Sequence, residues 1–424
     1  MNRFAAALVY GLLGASTALA APAPRGGVGD VAAAIEAHYF DPAKAKSIAD
    51  DLRSAAANGA FDALTDPRDL AQTLTTKLKP LDAHFNVEWQ GDTPAPESVP
   101  GSPPGPRRSY DDELRRTNYG FRKTEILTGN IGLIEMSGFA GFNAKGDPAR
   151  LAVDAALQSV AHADAIIIDL RQNGGGSPAM VGYLASAFVA PGADIYNVFH
   201  GREGTRSEAP SEPYAAPRTD VPVFILISGR TGSAGEAFPY TFQAAKRATI
   251  VGEASAGAAN PGGTVVTPSG FAVFVSDGSP INPVTGGNWE GTGVIPDVAV
   301  PAASALDKGY ELALEAALAR GLPETETMDV RWTLEAIRAP KLDFTAADYA
   351  GTYDDVTITA GDGTLISTRG KRPPTTLKPL AADLFFVADH PERRVHFERD
   401  AAGNVVLMEL QTSSGDALRL HRQS

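Results

Sequence analysis

Three short stretches of this 424-residue chain carry residue types at spacings that could do chemistry. The first is PVFILISGRTGSAGEAFPYTFQAAKR, in which Ser233 stands where a run of buried-strand character passes into a helical pattern. A hydroxyl at such a junction lies at the end of a sheet with the first amides of the helix beside it, so nucleophile and anion-stabilising N–H groups share one turn, as acyl transfer requires. Ser233-Ala-Gly-Glu236 is equally a capping box, in which Ser233 caps the helix and Glu236 reaches back to the serine amide. It is not the hydrolase elbow, because Thr231 rather than glycine stands two residues before Ser233. The second stretch, DLRQNGGGS from Asp169 to Ser177, also follows a strand-like run and opens a helix. Gly174, Gly175 and Gly176 can take positive φ and expose amides as a nest, or simply form a tight turn. The Gly-Lys-Ser/Thr ending of a phosphate loop and the GxGxxG spacing of a dinucleotide site are both missing.

The third requirement is a base. There are seven histidines, His38, His84, His162, His200, His390, His396 and His421, and composition alone does not choose among them. His84, in PLDAHFNVEW, lies where a helical pattern ends and an extended stretch begins. No pair has the HExxH spacing and none sits with carboxylates at metal-ligand spacing, so neither a metal nor a cofactor is expected. The chain has no cysteine, which excludes a thiolate nucleophile, a Cys-ligated metal and a disulfide framework. Covalent catalysis would have to use another nucleophile.

The elements that must position these residues follow from periodicity. Residues 28 to 90 show apolar spacing near the helical repeat in three segments and predict a small helical bundle. Between Gly91 and Arg108 fall six prolines and three glycines, a composition that favours solvated, extended backbone and marks a linker. From Tyr119 to about Arg320, GNIGLIEM, ADAIIIDL, PVFILIS and RATIVGE read as buried strands, separated by helical segments long enough for crossovers. This predicts an α/β core with a largely parallel sheet. TVVTPSGFAVFVSDG reads as a hairpin turning at Pro268 and Gly270. From about Leu342 onward, short alternating strands separated by Asp-Gly and Gly-Asn turns predict a small antiparallel β domain or barrel.

At the N-terminus, Arg3, the apolar run 4–15 and Ala18-Leu19-Ala20 have the pattern of a signal peptide cleaved before Ala21. The run is shorter than the about 20 residues that cross a bilayer, and no later segment is long and apolar enough to span. A net charge of −13, spread over all parts of the mature chain, argues against a nucleic-acid partner. The expected organisation is a signal peptide (1–20), a helical domain (21–90), a linker (91–118), a catalytic α/β domain (119–320) and a C-terminal β domain (340–424).

Six motifs occur in one order: HYFDPAKA, PLDAHFNV, GFRKTEILTGNIGLIEMSGF, DLRQNGGG, GSAGEAFPYTFQAAKRATIVGE and WEGTGVIPDV. In this respect residues 28 to 320 resemble the C-terminal-processing (tail-specific) serine peptidases, the family that includes tricorn protease and the interphotoreceptor retinoid-binding protein modules. The resemblance implies a crotonase/Clp-protease-like α/β core. No stretch between His84 and Asn130 resembles the PDZ module that tail-specific members insert. The family's Ser-Lys dyad is absent, because the lysine position falls on Ala258. The tricorn-like and retinoid-binding branch instead implies Ser233 as nucleophile, His84 as general base and Glu290 as the carboxylate that orients and charges the imidazole. The Ala234 amide and a glycine amide of the 174–176 turn, Gly175 ahead of Gly174, would form the oxyanion hole. Tricorn-like members often carry a serine before the histidine; here that residue is Ala83, and Asp82 is an alternative orienter. The implied function is an exported, periplasmic or extracellular serine peptidase acting on peptides or unfolded proteins. The alternative is a non-catalytic module that binds a hydrophobic ligand or peptide on the same scaffold. A homo-oligomer and a monomer both fit.

Overall fold

The computed structural model describes residues 23–91, 109–142 and 146–423. The leader expected at 1–20 and residues 92–108 of the expected linker lie outside them. By contact the described residues divide into two compact units, one within 23–91 together with 262–278, the other within 109–261 together with 279–423.

The first unit starts with three helices, Pro24–His38, Pro42–Ala57 and Pro67–Leu78. Each begins on a proline, whose fixed φ and missing N–H suit the first helical position. Asp41 and Asp66 cap the second and third through their carboxylates. The apolar faces, including Val31, Ile35, Ile48, Leu52, Leu70 and Leu74, pack with Phe271, Val273 and Val275 from a three-stranded antiparallel sheet. Its order is Asn86–Trp89, Phe271–Ser276, Gly262–Val266. The hairpin forms as its turn residues predict, but not in the α/β domain to which the sequence reading gave residues 119–320. It pairs with the strand that follows His84, supplying the sheet that the helices need to close their core.

The second unit is built on a six-stranded sheet with the order Val298–Ala299, Thr249–Gly252, Val223–Ile227, Ala165–Asp169, Ile131–Met136, Phe121–Leu127. The first five strands run parallel, and the last is an antiparallel edge. Alternate side chains serve opposite faces. Ile166 and Ile168 pack with the helices Pro148–Ser159, Pro178–Ser186 and Ala234–Ala244. Ala165 and Ile167 pack with Ala305–Ala319 and Glu324–Ile337. Burial on both faces accounts for the unbroken apolar runs of the central strands, and the α/β core is as expected.

The C-terminal region is an antiparallel meander of eight strands from Gly351 to His421. Asp354 N–H donates to the His421 carbonyl and Gln423 N–H to the Thr352 carbonyl, so the last strand closes on the first. Closure removes the open edges that a sheet would otherwise present.

Candidate active site

Ser233 follows the loop 228–232 at the end of a fully buried strand and precedes the helix Ala234–Ala244. The loop is tied to the glycine turn by hydrogen bonds from Ser228 Oγ to the Arg171 carbonyl (2.7 Å), Thr231 Oγ1 to the Leu170 carbonyl (2.8 Å) and Gly232 N–H to the Asn173 carbonyl (3.0 Å). Arg171 in turn makes a bidentate pair with Asp169, which raises the guanidinium pKa further, and donates to the Ala302 carbonyl. The residues of DLRQ are therefore anchors, and what they anchor is the approach of the glycines to Ser233.

The backbone at Ser233 has φ 53° and ψ −124°, a region that costs a non-glycine residue about 1–3 kcal/mol. A helix-capping serine sits in the β region, where its oxygen reaches the third amide of the helix. Here the Glu236 amide goes to the Ser233 carbonyl (2.8 Å), and the serine side chain makes no capping bond. Only the glutamate half of the capping box does its ordinary job, with Glu236 Oε2 accepting from Ser233 N–H at 2.9 Å. The half-buried hydroxyl is left for other use.

Gly175 fits against this turn because it has no side chain. Its φ is 115°, and a Cβ there would lie 2.8 Å from the Ser233 Cβ and 3.3 Å from the Ala234 nitrogen. The expectation puts Gly175 ahead of Gly174 among the oxyanion donors; in the structure the Gly175 N–H donates to Asn173 Oδ1 at 2.9 Å. The asparagine two residues before the glycine makes an Asx turn, a local signal the sequence contains. Among the described residues, the amides of Gly174 and Ala234 have no acceptor. Asn173 itself is fully buried.

Glu236 is the residue that sequence reasoning undervalued. It has no exposed surface, and its carboxylate accepts four hydrogen bonds: from Ser233 N–H, Ser255 Oγ (2.6 Å), Gly257 N–H (2.7 Å) and Ala258 N–H (2.9 Å). The next two amides of the same loop, Ala259 (2.7 Å) and Asn260 (3.0 Å), donate to Glu290 Oε2. Four consecutive N–H groups thus hold two carboxylates, and the position where the other catalytic scheme has a lysine, Ala258, is spent on this clamp. Glu290 follows Trp289, which is 1% exposed and packs at a tilt against Tyr240, so Trp289 anchors this turn in the core.

His84 belongs to the other unit. It lies between the helix Pro67–Leu78 and the strand Asn86–Trp89, where the sequence placed it. Asp82 Oδ1 accepts from the His84 amide (2.9 Å) and stands 3.6 Å from the imidazole Nδ1. The ring stacks on Phe274 of the hairpin, with centroids 5.7 Å apart. Asp82 is thus the carboxylate that this unit provides beside the imidazole.

Residues 130–300 match the family model of peptidase family S41. The matched stretch takes in the strands and helices around Ser233 and the glycine turn. The expected resemblance to the C-terminal-processing serine peptidases is borne out at this level. Among solved structures, the chain is similar to a photosystem II D1 C-terminal processing protease, at 20% identity and TM-score 0.31, over 41% of this chain and 42% of that one. It is also similar to a lipoprotein from Streptococcus agalactiae, at 16% identity and TM-score 0.42, over 73% of this chain and 99% of that one. A third likeness is to mature CPAF, at 16% identity and TM-score 0.37, over 45% of this chain and 52% of that one. The chain thus spans about half or less of the length of two of the three. No helix among its described residues is long and apolar enough to cross a membrane.

Proposed function

We propose that the chain is an exported serine peptidase that hydrolyses peptides or unfolded proteins with Ser233 as nucleophile. The observation that carries this reading is the strained Ser233 turn. A merely capping serine has no use for a positive φ, whereas a nucleophile held there at a helix N-terminus keeps its hydroxyl unspent beside unpartnered amides. His84 is assigned as the general base that takes the Ser233 proton during attack and returns it to the leaving amine. Glu290 is assigned as the carboxylate that steadies the imidazolium; its anchoring by Ala259 and Asn260 supports a fixed position. Asp82 holds the other end of the histidine turn in place. The oxyanion would be received by the amides of Ala234 and Gly174, one donor being worth about 3 kcal/mol. The leader pattern in residues 1–20 supports export to the periplasm or beyond.

A fluorophosphonate probe on the purified chain tests the assignment. Stoichiometric labelling that disappears in Ser233→Ala and slows at least a hundredfold in His84→Ala is expected. Labelling that persists in Ser233→Ala removes Ser233 as nucleophile, and no labelling at all favours the non-catalytic binding module. Comparing Glu290→Gln with Asp82→Asn separates the two carboxylates, since the orienting one lowers kcat while leaving KM in place.

A further inference from the structure

The C-terminal barrel has two unlike ends. At the end that carries the turn 382–383, Tyr349 packs on Phe385 and Phe397 with centroids 5.1 and 4.9 Å away, and Phe344 lies 5.1 Å from Phe385. The Tyr349 hydroxyl donates to Asp383, and Arg399 closes the same corner. This end is plugged by aromatic rings. The opposite end, with the turns 370–374, 388–389 and 413–416, opens into a cavity of about 670 Å³. That volume is ordinary for a small-molecule site, and barrel mouths are one of the places such sites occur.

The floor is apolar: Val356, Leu377 and Val395 line it and are each at most 2% exposed. Strand alternation then identifies which rim residues point inward. Arg369 shares the face of Leu365, Arg393 the face of Val395, and Leu418 the face of Leu420. Leu418 is nevertheless 42% exposed, because the cavity opens beside it. Arg369 is held only by an exposed pair with Asp355, and Arg393 has its carboxylate, that of Glu392, no nearer than 3.7 Å. Exposed pairs of this kind are worth under about 1 kcal/mol, so either guanidinium can exchange its partner for a ligand carboxylate. Two aspartates, Asp389 and Asp416, also stand on the rim. With Arg372 and Arg394 also in the lining, four guanidiniums stand against these two carboxylates, and the balance favours an anionic head group.

The geometry points to a binding site for an aliphatic carboxylate, with its chain on the Val356, Leu377 and Val395 floor and its head between Arg369 and Arg393. A peptide would carry backbone N–H and C=O groups onto a floor that cannot bond them, so a plain hydrocarbon tail fits better. The site is independent of the peptidase assignment, because none of its residues belongs to the Ser233 region.

Calorimetric titration of the full chain with decanoate and with decanol tests it. Decanoate binds saturably at one site and at least tenfold more tightly than decanol. Arg369→Gln/Arg393→Gln loses that tenfold preference and leaves decanol binding unchanged. Leu418→Trp, a change at a side chain that is already exposed, blocks the mouth and removes both ligands while the thermal midpoint holds. Equal affinity for decanoate and decanol in the unaltered chain, absence of saturation, or decanoate binding that survives both variants overturns the proposal.

Discussion

At Glu236 two donors compete for each carboxylate oxygen: Ser255 Oγ and the Gly257 amide share Oε1, while the Ser233 and Ala258 amides share Oε2. Glu236→Gln keeps the shape but aims an NH2 group at two N–H or O–H donors. Losing charge-assisted bonds at a fully buried carboxylate costs about 2–4 kcal/mol. The Ser233 turn is one of the things held, so kcat should fall by about tenfold or more with KM little changed, together with a lower melting temperature. Steady-state kinetics and a thermal melt of the same preparation check both. Glu208 makes the opposite case. It is buried, Asn197 Nδ2 donates to its Oε2, and its Oε1 has no partner among the described residues. Burial pushes its carboxyl up to about 8 from the ordinary 4.5, the Asn197 bond opposing that only in part. Below pH 4.5 both folded and unfolded states are protonated and nothing is lost. As pH rises toward 8 the unfolded state ionises first, so stability falls through that window. Glu208→Gln should therefore raise stability by about 3 kcal/mol at pH 7 and by almost nothing at pH 4. Chemical denaturation at the two pH values decides it.

At the scale of elements, the sequence was most legible where one physical cause dominates. Ile166 to Ile168 could be read as a buried strand because a sheet covered on both faces leaves no place for a polar residue. Proline at the first position of three N-terminal helices and the Asp-Gly turns of the barrel are equally local signals. For the site, the sequence offers candidates but not their geometry. Whether the Ser233 side chain caps its helix depends on one φ angle, which the pattern Ser-Ala-Gly-Glu does not contain. Glu236 looked like a capping acid because three of its four donors come from the loop 255–258, outside any sequence window. The turn residues of 262–278 mark a hairpin, yet its partner strand lies before the linker, and long-range pairing leaves no local mark. The glycine turn lends itself to a paired test. Gly175→Ala meets both a positive φ and the Ser233 Cβ, and should lower kcat/KM by about a hundredfold or more. At Gly174 a Cβ meets nothing within 4 Å and φ is ordinary, so Gly174→Ala should retain most activity with its amide still in place. Kinetics of the two variants side by side check that it is the shape of the turn, rather than glycine content, that the proposed nucleophile requires.

Across the whole molecule, the first unit is discontinuous in sequence, and this gives the core insertion 262–278 control over a region far upstream. Phe271 is fully buried, packs edge-on against Trp89 with centroids 5.0 Å apart, and sits so close to the first helix that a Cβ on Gly27 would lie 2.6 Å from its ring. Removing that ring leaves a cavity in a small core, at a cost of about 3–5 kcal/mol. The second unit keeps its own cores under this change, since none of the apolar clusters around its sheet or its barrel includes a residue of 262–278. Phe271→Ala should therefore strip amide-exchange protection from residues 23–91 while strands Ala165–Asp169 and Val223–Ile227 remain protected. Because the proposed base, His84, rests on Phe274 of the same hairpin, peptide hydrolysis should fall with that protection although Ser233 and its clamp are untouched. Hydrogen exchange read by mass spectrometry, with activity measured on the same sample, checks both halves. Loss of protection in both units would show that they unfold together, and full activity with the first unit unprotected would remove His84 from the mechanism.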